Sequence, residues 1–414
     1  MTRLEKGDSG NRWPQLLPGD KAVLFDAGST ANSRLTVHAM GTSQQRNLLQ
    51  GGRYARYVPS GHLVFAQGGT LMAVPFDPGR LEVTGTPIPV VDDIFQSGTT
   101  GAAGFSVSDT GSLVYVSGGG PPAQHLVWVD RAGNEETVAA PARTYGTAGP
   151  RLSPDGRRMA VPVEGQIWLY DFAREIFSRL TLEGQSNLTP TWTPDGKRIA
   201  FSSMREGAQN LFWQSADESG GGERLARSEY PQYLGSFSPD GKLLVFPEIH
   251  PDTVYDIWVL RLDDLVAEPF LRTPFTEAAP RFSPDGRWVA YVSDESGPLE
   301  IYVRPYPGPG GKWQISADGG LEPVWNPNGR ELFYREGDKM MAVAIETEPA
   351  FSAGKPRLLF EGRYLPTPAT LPNYDVSQDG QRFLMIKESE QAEAITQINV
   401  VLNWSEELKR LVRD

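Results

Sequence analysis

Five aspartates recur in one short context: Asp155, Asp195, Asp240, Asp285 and Asp379 each stand before a glycine in a Ser-Pro-Asp-Gly or closely related tetrapeptide. Repeated carboxylates are the natural ligands of hard cations. These recur at a spacing of about 40–45 residues, one per repeat, so they are expected on separate surface turns, far apart. The four histidines, His38, His62, His125 and His250, share no motif and no metal-type spacing. With no cysteine there is neither a disulfide framework nor a thiolate site. The chain lacks Gly-x-Ser-x-Gly and a glycine-rich phosphate loop before a lysine. Asp252-Thr-Val-Tyr-Asp256 is too sparse for a calcium loop. No catalytic residue, no metal and no cofactor is expected.

A second set is more suggestive. Gln15, Arg56, Ser106, Arg151, Thr191, Ser236, Arg281, Val324 and Asp375 occupy equivalent positions just ahead of the repeated turn, and all but Val324 are polar. What they can do depends on the elements that carry them.

Those elements follow from the repeat. Arg151-Leu-Ser-Pro-Asp-Gly156, Thr191-Trp-Thr-Pro-Asp-Gly196, Ser236-Phe-Ser-Pro-Asp-Gly241 and Arg281-Phe-Ser-Pro-Asp-Gly286 are near copies, and Val324-Trp-Asn-Pro-Asn-Gly329 is a conservative fifth. Weaker copies end at Asp20, Gly61, Gly111 and Gly380. Ser-Pro-Asp-Gly suits a type I turn with glycine in the left-handed position of a bulged hairpin. An alternating apolar strand follows each turn, as in Arg198-Ile-Ala-Phe201. A third strand with a large aromatic comes next, as in Leu126-Val-Trp-Val129 and Ile167-Trp-Leu-Tyr170, and then a more polar fourth. A period of about 40–45 residues with four strands is that of a propeller blade.

The expected fold is therefore all-β: a single closed β-propeller of four-stranded blades over residues 1–402, with nine blades and eight as the alternative. The last unit shows strands near 374–376, 382–386 and 396–402 and no fourth. Residues 2–5, Thr-Arg-Leu-Glu, resemble a fourth strand and are expected to complete that blade. Residues 403–414 should form a helix packed on the propeller, with Asn403 and Glu406 as a capping box and Trp404, Leu408, Leu411 and Val412 on one face.

Inner strands converge on one axis, which gathers the polar set. Gln15, Arg56, Arg151, Thr191, Ser236, Arg281 and Asp375 are the candidate ligand-binding residues. Water-filled lining is one reading; the excess of Arg56, Arg151 and Arg281 over Asp375 favours an anionic guest. The recurrent third-strand aromatics read as inter-blade core, with Trp13 and Trp313 less regular. The alternative is a propeller enzyme of glycosidase or lyase type with its site at the channel mouth; glycoside hydrolysis would need two convergent carboxylates about 5–10 Å apart, and these positions offer only Asp375.

A net charge of −12, from 51 acidic against 39 basic residues, argues against nucleic acid as partner. No run of about 18 apolar residues is present, so no membrane helix is expected. The start, Met1-Thr-Arg-Leu-Glu-Lys6, lacks a signal-peptide core and reads as a start inside a longer natural chain. A monomer is expected.

The tandem Ser-Pro-Asp-Gly turn with its aliphatic and aromatic strands resembles the TolB-like, WD-repeat-like β-propeller family over essentially the whole chain. The ending Ile398-Asn-Val-Val-Leu-Asn-Trp404, with Glu407-Leu-Lys409, is similar to the end of the propeller region of bacterial membrane-bound serine/threonine kinases. The resemblance implies a non-catalytic sensor or scaffold on the extracytoplasmic side of a membrane, binding a protein or a small anionic ligand.

Overall fold

The turns form as their residues dictate. In the computed structural model Gly156 takes φ +68° and its amide donates to Ser153 O at 2.8 Å. Ser153 Oγ donates to Asp155 Oδ1 (2.6 Å) and accepts from Arg158 N (2.9 Å), so one hydroxyl ties the turn to the next strand. The same pair of bonds recurs at Thr193, Ser238, Ser283 and Ser377. Proline at the second turn position costs no ladder bond.

The structure describes residues 10–412 apart from 29–32, 43–44, 98–99, 118–123, 147, 185, 366–370 and 389–396. The chain divides into two compact units: residues 124–388, and the segments 1–123 and 389–414 together.

Among the described residues the 124–388 unit holds six antiparallel sheets. The first holds Arg151–Leu152, Arg158–Val163, Gln166–Asp171 and Ile176–Arg179. The second holds Leu188–Trp192, Arg198–Ser203, Asn210–Ser215 and Glu223–Arg224; the third Ser236–Phe237, Leu243–His250, Val254–Arg261 and Ala267–Leu271. The fourth holds Glu277–Phe282, Trp288–Ser293, Glu300–Pro305 and Trp313–Gln314. In the fifth, Leu321–Trp325 and Glu331–Glu336 lead to Lys339–Glu346, which pairs with both Ser352–Ala353 and Arg357–Glu361. The sixth joins Tyr374–Val376 and Arg382–Glu388 to Gln124–Asp130 and Glu135–Thr137, from the opposite end of the unit. Each sheet shares a buried apolar layer with the next. The cycle returns to its start: Leu126, Leu384 and Ile386 of the sixth sheet pack with Leu152, Met159 and Val161 of the first.

Among the described residues the other unit carries three sheets. Asn11–Leu16, Ala22–Gly28, Ser33–Ala39 and Gln45–Gln50 make one; Arg53–Val58, His62–Gln67 and Thr70–Asp77, with Glu82–Val83 and Ile88–Val91, the second. Phe105–Val107, Leu113–Val116 and Ile398–Val401 make the third. The helix Trp404–Leu411 buries Trp404 and Leu408 among Phe105, Leu113 and Val58.

The single ring over residues 1–402, of nine or eight blades, is corrected by these pairings. Leu126–Val129 is a third strand, as its aromatic predicts, but it pairs with Arg382–Glu388. Ile398–Val401, expected beside that strand, pairs instead with Leu113–Val116. The two third strands have exchanged places, and the cycle closes within 124–388. Local pattern specifies strand type and face, and two strands of the same type are interchangeable until the partner sheet is fixed. The proposed closing strand at residues 2–5 lies outside the described residues; the sixth sheet already has its fourth strand in Glu135–Thr137. The capping box does not form either. Asn403 sits at φ 56° without a side-chain cap, Ser405 N donates to Gly111 O, and Leu411 is exposed.

Candidate functional site

At seven of the nine inner-strand positions the side chain clasps one sheet to the next. Asp375 Oδ2 accepts from Leu152 N at 2.8 Å and Ser236 Oγ from Phe282 N at 2.8 Å. Thr191 Oγ1 donates to Gly235 O at 3.3 Å. Arg151 donates to Pro150 O, Tyr374 O and Pro372 O at 2.7, 3.2 and 2.6 Å. The aromatic one residue on adds to the belt: Trp192 Nε1 donates to Arg151 O and Trp325 Nε1 to Arg281 O. Inner strands are only two to six residues long, so side-chain bonds supply the lateral ties that a short ladder lacks.

Gln15 and Arg56 do the same in the other unit. Gln15 Oε1 accepts from Tyr57 N at 2.7 Å; Arg56 donates to Trp13 O at 3.2 Å and lies over the Tyr54 ring. The seven candidates are thus split, with Gln15 and Arg56 in one unit and Arg151, Thr191, Ser236, Arg281 and Asp375 in the other.

Within the 124–388 unit, charge is concentrated at Arg151 and Arg281. Burial lowers the Arg151 guanidinium from its ordinary value, and Asp375 and Glu322 partly offset that. Arg281 is pushed down to about 9, first by burial and then by Arg151 itself, with Asp375 pulling the other way. Asp375 is already engaged by two amides, Leu152 N and Val376 N. Arg281 Nη1 reaches Gly235 O at 3.2 Å, while its buried Nε meets no acceptor.

Four residues that the repeat did not single out complete this region. Glu322 Oε2 accepts from Asn373 N at 2.9 Å, and Glu322 lies 3.9 Å from Arg335. Tyr374 Oη donates to Glu322 O at 3.0 Å. All four are buried. Glu322, Asn373 and Tyr374 stand at or just before the start of an inner strand and Arg335 in the second strand of its sheet.

A second polar group lies between the third and fourth sheets. Asp256 and Glu277 are 1% and 3% exposed, and Asp256 Oδ1, Glu277 Oε2 and Glu295 Oε1 are buried without a donor. Burial raises the Glu277 carboxyl to about 7, with the charges of Asp256 and Glu295 adding to the rise and the Thr273 hydroxyl opposing it.

The turn aspartates are absorbed by their turns. A Ser or Thr hydroxyl, then a following amide, hold Asp155, Asp195, Asp240 and Asp379 below the ordinary carboxylate range. Trp313 packs edge-on to Trp288 and against Phe351; Trp13 packs edge-on to Tyr54. Arginines lie over several strand aromatics, as Arg198 over Trp213 at 4.2 Å and Arg382 over Trp128 at 4.7 Å.

Residues 105–250 match the family described as the TolB beta propeller domain. A putative TolB from Agrobacterium tumefaciens is similar at 20% identity and a TM-score of 0.56, over 65% of this chain and 99% of that one. An oligogalacturonate lyase from Vibrio parahaemolyticus shows 18% identity and a TM-score of 0.36, over 74% of this chain and 92% of that one. At 20% identity the likeness to the Agrobacterium protein is one of fold.

Proposed function

We propose that this chain, whose residues 105–250 match the TolB beta propeller domain, is a non-catalytic binding module whose 124–388 unit takes an anionic group, from a small ligand or from an acidic loop of a protein partner, at Arg281. One observation carries the reading. Arg281 is a half-buried cation whose Nε is buried and unpartnered, next to a second arginine, while the nearby Asp375 carboxylate is engaged by backbone amides. Buried charge is costly unless paired and hydrogen-bonded. An incoming carboxylate or phosphate oxygen supplies both the charge and the acceptor.

Enzymatic hydrolysis of the glycosidase type fits less well. It requires one carboxyl free to give a proton and another free to attack or to activate water. Asp375 and Glu322 each spend an oxygen on a backbone amide. We place the module as the sensor or scaffold part of a larger bacterial signalling protein, on the extracytoplasmic side; the repeat and the chain's ending support this by resemblance. Among the described residues no helix is long and apolar enough to cross a membrane.

The test is Arg281→Met, which keeps much of the apolar stem and removes the charge. Titration of parent and variant with acetate, phosphate and an acidic peptide should show binding by the parent that weakens by about tenfold or more in the variant. A variant that folds like the parent and binds every probe equally well would remove this site. Turnover of a polysaccharide, abolished by mutating Asp375 or Glu322, would favour the enzymatic reading.

A further inference from the structure

A cleft of about 320 Å³ opens between the outer strands of the first and second sheets of the 124–388 unit, away from the inner strands. Arg179, Leu182, Glu183, Arg205, Glu218 and Gly222 are among its walls. The volume lies at the lower end of small-molecule sites.

Arg205 is built into this cleft. Its guanidinium lies over the rings of Phe201 and Phe212, at 5.3 and 4.8 Å from their centroids. Its Nε donates to Ser203 Oγ at 3.2 Å, and its Nη2 is 3.5 Å from Glu183 O. Two glycines make room for it. A Cβ on Gly222 would fall 2.5 Å from Arg205 Nη1, and one on Gly184 would fall 3.1 Å from Arg205 Cβ. Any larger residue at 222 would displace the guanidinium, so the glycine keeps it in place over the rings. Arg179 is fixed by its own bond, Nε to Thr181 O at 2.7 Å. Neither arginine bonds a carboxylate among the described residues, although Arg205 is partly desolvated. The opposite charge is also present: Glu183 and Glu218 line the same cleft, and Glu218 Oε1 accepts from Ser178 Oγ at 2.5 Å.

We propose that this cleft is a second binding site, for a small zwitterion such as an amino acid or the ends of a short peptide. Arg205 and Arg179 take the carboxylate, Glu183 and Glu218 the ammonium group, and Leu182, 77% exposed, closes over the aliphatic part. Arginine suits the first task because its planar donors match a carboxylate in pairs. The apposed glutamates favour a ligand with both signs over a simple anion.

The test is calorimetric titration of the full chain with diglycine, N-acetyl-diglycine and diglycine amide, beside Arg205→Met, Arg179→Met and Gly222→Ala. The parent should bind diglycine, and each capped form should bind about tenfold more weakly or worse. Each variant should lose a similar factor for diglycine. Arg179 is exposed, so its variant keeps the test decisive if Arg205→Met folds poorly. Three results would overturn the proposal: no diglycine binding at millimolar concentration, equal binding of the acetylated form, or parent-like binding by Arg179→Met. Arg281→Met should leave in place the diglycine binding that Arg179→Met removes, which separates this site from the one above.

Discussion

Replacing Glu277 by Gln should stabilise the protein at alkaline pH and leave it nearly unchanged in mild acid. The carboxyl is 3% exposed, one of its oxygens has no donor, and its folded-state value is raised from 4.5 to about 7. A raised carboxyl binds its proton more tightly in the folded chain. Stability is therefore fully present below the unfolded value of 4.5 and declines as pH rises towards 7, levelling off above it. At about 1.36 kcal/mol per unit, the rise corresponds to roughly 3 kcal/mol as an upper bound. The Thr273 hydroxyl remains bonded to the other oxygen, so about 1–2 kcal/mol is a realistic gain on making the group permanently neutral. For a domain of this size that is roughly 2–8 °C in melting temperature. Thermal unfolding of parent and Glu277→Gln at pH 5 and pH 8 reads the effect directly. A variant no more stable than the parent at pH 8, or one with the same gain at pH 5, would refute the linkage argument.

Three further outcomes follow from the architecture. A chain of residues 124–388 alone should fold, with a single cooperative melt, because its cycle of sheets closes on itself; a molten or aggregated product would contradict this. Arg335→Met should cost about 3 kcal/mol in chemical denaturation, since Glu322, 3.9 Å away, would lose its cation while buried; a loss under about 1 kcal/mol would show the pair to be idle. Ser153→Ala should cost about 1–3 kcal/mol, because Arg158 N loses its side-chain acceptor and Asp155 keeps only the Arg157 amide; an unchanged midpoint would show that backbone bonds alone hold the turn.

The turns, the strand types and the aromatic layers were legible in the sequence because each is written locally. Pro194 and Gly196 sit where a type I turn needs them, and the alternation in Arg198–Ser203 declares one strand. Strand partnership was not legible. Leu126–Val129 and Ile398–Val401 both read as third strands, and only the folded chain decides which sheet each one joins. The candidate site was half visible. The inner-strand positions were found, but their polar groups mainly bond the backbone of the neighbouring sheet, as Ser236 does to Phe282 N. Glu322, Asn373 and the Arg205 cleft were missed, because each depends on residues brought together from different sheets or loops.

The way the chain enters and leaves the closed cycle has a mechanical consequence. Gln124 and Glu388 face each other at the same end of one antiparallel pair, with the ladder running on to Asp130 and Arg382. A pull on these two points therefore loads the pair as a zipper, breaking its rungs in turn, where a shear geometry would load all of them at once. The sixth sheet should be the first to open under tension, at low force, with its inner strands still clasped by Asp375 and Arg151. Extension of the full chain between handles at positions 124 and 388 should show a soft early step before the main rupture.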